Sequence, residues 1–207
     1  RHQAATDSLE DKHMDACIEE AQVHAQRRTL SPFLPTTSID LATIFDALQV
    51  GPRHVMVDLG CGDGRPLIAA ALLHGCRGVG VDISQECIDS ARAIVTEEEL
   101  NEDVVNFFQL NLLEDRDKAL GLLVAAVEAQ ATEAEAKTVV IFLYVYPTLL
   151  ARLVGLVRRL AGACQGGEGR QRVVHVVTLT YHFRGPLIEG MEWTQVGGGR
   201  FHMHSLR

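Results

Sequence analysis

Three glycines at every second position, Gly60, Gly62 and Gly64, interrupt an apolar run that resumes as Pro66-Leu67-Ile68-Ala69-Ala70-Ala71. Glycine lacks a Cβ, so its backbone can take positive φ and approach a ligand closely. A helix that starts just after such a turn points unpaired amide N–H groups, and the positive end of its dipole, into the turn. The preceding run, His54 to Leu59, reads as a buried parallel strand with an acid, Asp58, near its end. A second short strand, Gly78-Val79-Gly80-Val81-Asp82, also ends in an acid. A carboxylate at that place can accept two hydrogen bonds from ribose hydroxyls. The residues therefore point to a nucleotide-like ligand. A dinucleotide fingerprint, G-x-G-x-x-G, would need a glycine where Arg65 stands. That weighs against a NAD-dependent dehydrogenase.

The elements that must hold these residues alternate between strand and helix. Pro66 suits a first helical turn and Gly75 a helix stop. Ser84 suits the N-cap of a helix from Gln85 to Leu100, with Glu86 in its first turn. Val104 to Leu110 reads as a third strand, Glu114 to Lys137 as one long amphipathic helix, and Thr138 to Tyr144 as a fourth strand. A helix from about Thr148 to Ala161 follows, with arginines near its favourable C-terminal end, then a glycine-rich loop from Gln165 to Gly169. Arg172 to Phe183 reads as a fifth strand. Trp193 and the segment Phe201 to Leu206 form an antiparallel hairpin through Gly197-Gly198-Gly199. Ahead of all this, Asp7 to Arg28 reads as a helix, Ser31 to Ser38 as an extended connection, and Ile39 to Leu48 as a helix capped by Ser38. The expected architecture is a single α/β domain over residues 1–207, a three-layer sandwich around a seven-stranded, mostly parallel sheet. Residues 1–50 form an N-terminal helical cap and residues 51–207 the cofactor-binding core.

With 207 residues, 47% of them apolar, the chain can bury one substantial core. A formal net charge of −8 argues against strong non-specific nucleic-acid binding. No run approaches the ~18 apolar residues of a membrane span. Five scattered cysteines suit a reduced, intracellular protein, cytoplasmic or mitochondrial. Targeting is unreadable in a sequence that starts at Arg1. His202 and His204 are two apart on a strand and share a face, but no third ligand suggests itself, so no metal is expected and both are read as exposed strand residues.

The pattern Asp58-x-Gly60-x-Gly62-x-Gly64, followed by the acid Asp82, resembles motif I and its sequel in class I S-adenosylmethionine-dependent methyltransferases, a Rossmann-like family. That resemblance implies S-adenosyl-L-methionine as cofactor, S-adenosyl-L-homocysteine as product, and a cofactor site of Asp58, Gly60, Cys61, Gly62, Gly64, Asp82, Ile83, Asn111 and Leu112. Asn111 would take the adenine amine, where family members carry Asp or Asn. Asp58 either caps the turn or meets the amino-acid end of the cofactor. The leader Pro32-Phe33-Leu34-Pro35-Thr36-Thr37 narrows the resemblance, which spans Ser31 to roughly Phe183. It looks like the mitochondrial protein-lysine methyltransferases that modify ATP synthase c subunit or the adenine nucleotide carrier, and their short bacterial relatives. This adds Thr36 and Thr37 to the cofactor contacts, and Tyr144 and Tyr146, just past the fourth strand, as the catalytic pair at the transfer site.

The acceptor implied is a protein lysine amine. A small molecule is the next reading, and a cofactor-binding protein without turnover a third. Leu143-Tyr144-Val145-Tyr146-Pro147 lacks the (Asp/Asn)-Pro-Pro-aromatic segment of many base methyltransferases, so a nucleic-acid substrate ranks behind these.

Overall fold

The computed structural model describes residues 36–101, 103–114, 116–166, 171–183 and 192–206. The helix read over Asp7 to Arg28, and Pro32 to Pro35 of the leader, lie outside them. In order, the elements are α1 (Ser38–Leu48), β1 (His54–Leu59), α2 (Arg65–His74), β2 (Arg77–Asp82), α3 (Gln85–Glu97), β3 (Val105–Gln109), α4 (Arg116–Glu133), β4 (Thr138–Leu143), α5 (Pro147–Gln165), β5 (Val173–Leu179), β6 (Glu192–Val196) and β7 (Phe201–Leu206). The seven strands form one sheet in the order β3-β2-β1-β4-β5-β7-β6. β1 to β5 pair in parallel, while β7 runs antiparallel to both β5 and β6. This is the expected seven-stranded, mostly parallel sheet with its antiparallel hairpin.

Strand side chains alternate between faces, and both faces are buried. Val55, Val57 and Leu59 enter one core with Leu123 and Val127 of α4 and Leu153 and Leu160 of α5. Met56, Val140 and Phe142 enter the other with Phe45 of α1, Leu67 of α2 and Ile88 of α3. The result is three layers. The strand order reverses between β1 and β4, so the crevice of an open α/β sheet lies at their carboxyl ends.

Several boundaries differ from those read in the sequence. Thr37, not Ser38, caps α1: its hydroxyl oxygen accepts the Asp40 N–H at 3.2 Å, and its O–H donates to Asp40 Oδ2 at 2.7 Å. Asp40 is buried and pairs with Arg200, which no local pattern reveals. α4 ends at Glu133 rather than Lys137, because Glu135 turns to φ 46° and the Lys137 N–H donates to the Arg53 carbonyl, entering the sheet. α5 runs on to Gln165, since Leu156, Leu160 and Cys164 continue its buried stripe. Its arginines are therefore not in its last turn. Arg172 lies before β5, with its guanidinium on both oxygens of Glu128.

His202 and His204 are buried, 5% and 6% exposed, contrary to the surface position expected of them. The reason is the segment after β5, whose His182 and Phe183 cover that face of β7. The His182 ring lies 4.5 Å from that of His202, and the Phe183 ring 6.2 Å from that of His204. Burial lowers the pKa of both His202 and His204, and the neighbouring histidines lower them further. The unfolded chain then binds more protons than the folded one as these groups titrate. Their contribution to stability is complete above about pH 6.5 and falls as pH drops through their lowered folded values. Melting temperature measured at pH 7.5 and 5.5 should fall more for the wild type than for a His202→Gln/His204→Gln variant. Equal falls would place the titration elsewhere.

Candidate functional site

β1 runs straight into the glycine turn. Gly60, Gly62 and Gly64 have φ of 96°, 53° and 73°, the left-handed region where a side chain is strained. The N–H groups of Gly60 and Cys61 donate to the Val81 carbonyl at 2.8 and 3.0 Å, fastening the turn to β2. Gly64 caps α2, with Pro66 in the first helical turn, and the other first-turn N–H groups are engaged: Arg65 donates to Asp63 Oδ1 at 3.3 Å, and Leu67 and Ile68 donate to the Gly64 carbonyl at 3.0 Å. A Cβ on Gly64 would collide with the ring of Phe107 from β3. Gly80 is closed by the same ring, 2.5 Å from where its Cβ would stand. The glycines thus serve two ends: backbone conformation at the turn, and room for one phenylalanine beneath it.

Three carboxylates surround this turn. Asp82 Oδ2 accepts the Gly62 N–H and Oδ1 the Ser84 N–H, both at 2.9 Å. Each oxygen keeps a second lone-pair direction, suited to the two hydroxyls of a ribose. Asp58 is only 2% exposed, and burial, followed by the charges of Asp82 and Asp63, pushes its pKa well above the ordinary carboxylate range. Asp63 carries its own counter-ion, with Arg65 at 2.6 Å. The Cys61 thiol is pushed up by burial and then by Asp58 and Asp82, so it stays protonated and is no nucleophile.

Beyond Asp82 the chain offers apolar surface. Ile83 is 44% exposed, and the Leu110 N–H donates to the Asp82 carbonyl at 2.8 Å, bringing the end of β3 beside the end of β2. Asn111 and Leu112 follow there, both half-buried. The Asn111 side-chain carbonyl accepts the Leu113 N–H at 3.0 Å, leaving one acceptor direction and its NH₂ group. Asp58, Gly60, Cys61, Gly62, Gly64, Asp82 and Ile83 thus lie on the end of β1, the turn and the end of β2, with Asn111 and Leu112 just past the next strand.

Tyr144 and Tyr146 flank buried Val145, whose methyl lies 3.1 Å from the Cβ position of Gly60. The tyrosines accordingly stand next to the turn. Thr37 is engaged in capping α1, and Thr36 is buried beside it. The sequence reading missed Tyr181, whose ring is 5.7 Å from that of Tyr146. A signal existed: the chain has three tyrosines, and the third follows the fifth strand as the other two follow the fourth. Among the described residues no group of three or more His, Cys, Asp or Glu could hold a metal. No described helix is long and apolar enough to cross a membrane.

A family model described as a methyltransferase domain matches residues 56–141, from β1 to β4. An RNA methyltransferase from Salinibacter ruber, solved with S-adenosyl-L-homocysteine, superposes with a TM-score of 0.52 at 23% identity, covering 83% of this chain and 92% of that one. The fold is therefore that of the class I methyltransferases. An uncharacterized protein of Methanocaldococcus jannaschii is 26% identical over 113 residues, 54% of this chain and 50% of that protein. A 24-methylenesterol C-methyltransferase of Oryza sativa subsp. japonica is 39% identical over 69 residues, 30% of this chain and 19% of that enzyme. The chain thus spans half of the first curated relative and less of the second.

Proposed function

We propose that this chain is an S-adenosylmethionine-dependent methyltransferase whose acceptor is a protein lysine amine. The observation that carries the cofactor is the set of carboxylates at the glycine turn. A pyrophosphate would be repelled by the Asp82 carboxylate, whereas a ligand ammonium beside Asp58 would favour that residue's charged form and pair with it. Bound there, S-adenosylmethionine supplies a methyl group on a positively charged sulfur, open to in-line displacement. Asp82 would hold the ribose diol and Asp58 the amino-acid end. Ile83 and Leu112 would flank the adenine, and Asn111 would meet its amine. Tyr144 and Tyr146 would line the approach of the acceptor. Such a transfer needs alignment and exclusion of water more than a nucleophile–base pair.

The lysine acceptor rests on the leader motif ending in Pro35-Thr36-Thr37 and its resemblance to protein-lysine methyltransferases. The net charge of −8 favours a basic protein segment over a nucleic acid. We place the protein inside the cell, in cytoplasm or mitochondrion, in keeping with the free thiols of Cys61, Cys76, Cys87 and Cys164.

Calorimetric titration with S-adenosylmethionine, S-adenosylhomocysteine and NAD tests the cofactor. Micromolar binding of the first two, about −8 kcal/mol, with none of NAD is expected. NAD binding, or binding of none of the three, would refute it. A labelled-methyl screen on cell extract should then place label in protein, on lysine. Label confined to small molecules or nucleic acid would reject the lysine acceptor.

A further inference from the structure

Beyond the cofactor turn, one line of contacts crosses the fold and ends at the acceptor side. It begins at the start of α1. Asp40, 3% exposed, holds the Thr37 hydroxyl and receives both guanidinium nitrogens of Arg200, Nη1 to Oδ1 at 2.8 Å and Nη2 to Oδ2 at 3.1 Å. Bidentate pairing of this kind fixes the direction of the guanidinium as well as its distance. Arg200 sits in the turn between β6 and β7. That turn is pressed against α1: a Cβ on Gly197 would fall 2.8 Å from the Thr43 methyl. The Arg200 carbonyl accepts the Thr180 N–H at 2.7 Å.

Thr180 is strained. It is β-branched, yet its φ is 66°, and the Tyr181 N–H closes a three-residue turn onto the Leu179 carbonyl at 2.7 Å. A conformation of this kind persists only where its surroundings hold it. Here the Arg200 carbonyl supplies that hold. The turn carries the chain sharply off the end of β5 and sets the Tyr181 ring against Tyr146, centroids 5.7 Å apart at 35°. Tyr146 follows Val145, which packs over Gly60.

We propose that the Asp40–Arg200 pair, acting through the Thr180 turn and the Tyr181 ring, orients Tyr146 at the acceptor side of the site. Tyr181 and Arg200 are then positioning residues, and the entry to α1 is mechanically joined to the place where the acceptor must lie. The role given to Tyr146 rests on the methyltransferase reading; the relay that orients it does not.

The chain has only three tyrosines, 144, 146 and 181, so 3-fluorotyrosine labelling yields three fluorine signals, assignable by single Tyr→Phe variants. Signals are recorded with and without S-adenosylhomocysteine, and its affinity is measured by calorimetry on the same samples. In Arg200→Met the Tyr146 and Tyr181 signals should shift or broaden while that of Tyr144 stays in place. Asp40→Asn should act in the same direction to a smaller extent and serves if Arg200→Met does not fold. Arg200→Lys should return the signals part of the way to wild type, and S-adenosylhomocysteine affinity should stay within about twofold in all three. A Tyr146 signal that ignores loss of the ion pair overturns the relay, as does a common shift of all three. Failure of the wild type to bind S-adenosylhomocysteine counts against the functional reading alone, because the fluorine signals judge the relay without it.

Discussion

Alanine at Asp82 should lower the affinity for S-adenosylmethionine at least 100-fold while the protein still folds. Two hydroxyls donating to an ionised carboxylate contribute about 1.5–3 kcal/mol each, so losing both spans roughly two to four powers of ten in Kd. The same substitution orphans the N–H groups of Gly62 and Ser84, which now donate to the carboxylate at 2.9 Å. Melting should therefore report a stability loss of about 1–3 kcal/mol alongside the loss of binding. Asp82→Asn keeps one carbonyl oxygen and should fall between wild type and alanine in both. Calorimetry showing unchanged affinity in Asp82→Ala would remove this residue from the site.

The second large effect is structural. Gly64→Ala places a methyl where φ is 73° and where the Phe107 ring already lies. The backbone term costs about 1 kcal/mol and overpacking a buried site about 1–3, together about 2–4 kcal/mol. For a chain of this size that lowers Tm by about 4–16 °C. The two causes separate in a Phe107→Leu background, which removes the collision and leaves the backbone strain. There Gly64→Ala should cost appreciably less than in wild type. Costs that add to within about 0.5 kcal/mol would mean that the ring yields and that conformation alone is at fault.

What could be read from residues alone divides along chain distance. The glycine turn, its flanking strand and helix, and the Asp82 carboxylate are local chemistry: each depends on neighbours a few positions away. Those readings agree with the observed turn and with the β2 end. Helix ends were read less well, because capping depends on which hydroxyl meets a free N–H. Thr37 and Ser38 are equivalent in type, and only the bond to Asp40 separates them. Phe107, which explains why both Gly64 and Gly80 are glycine, comes from β3 and carries no mark in the sequence. Asp40 and Arg200 lie 160 positions apart. His202 and His204 have the alternation of a half-exposed strand, and their burial comes from His182 and Phe183, about twenty positions away in the chain. Tyr181 was hidden for a related reason, since the turn at Thr180 uses a residue type that gives no warning of positive φ.

The interior place of β7 also bears on how the protein acquires its shape. Five parallel strands are complete once residue 179 has been made, but β5 then presents a bare edge of backbone groups flanked by Val174, Val176 and Val177. An open apolar edge of this kind invites pairing with other chains. The segment that covers it, Phe201 to Leu206, is synthesised after β6, and β6 itself cannot join the sheet until β7 is seated beside β5. Seating β7 also brings Arg200 to Asp40 and the Arg200 carbonyl to Thr180. A nascent chain still lacking β7 would hold its glycine turn yet expose the edge of β5 and leave the Thr180 turn without the Arg200 carbonyl that anchors it.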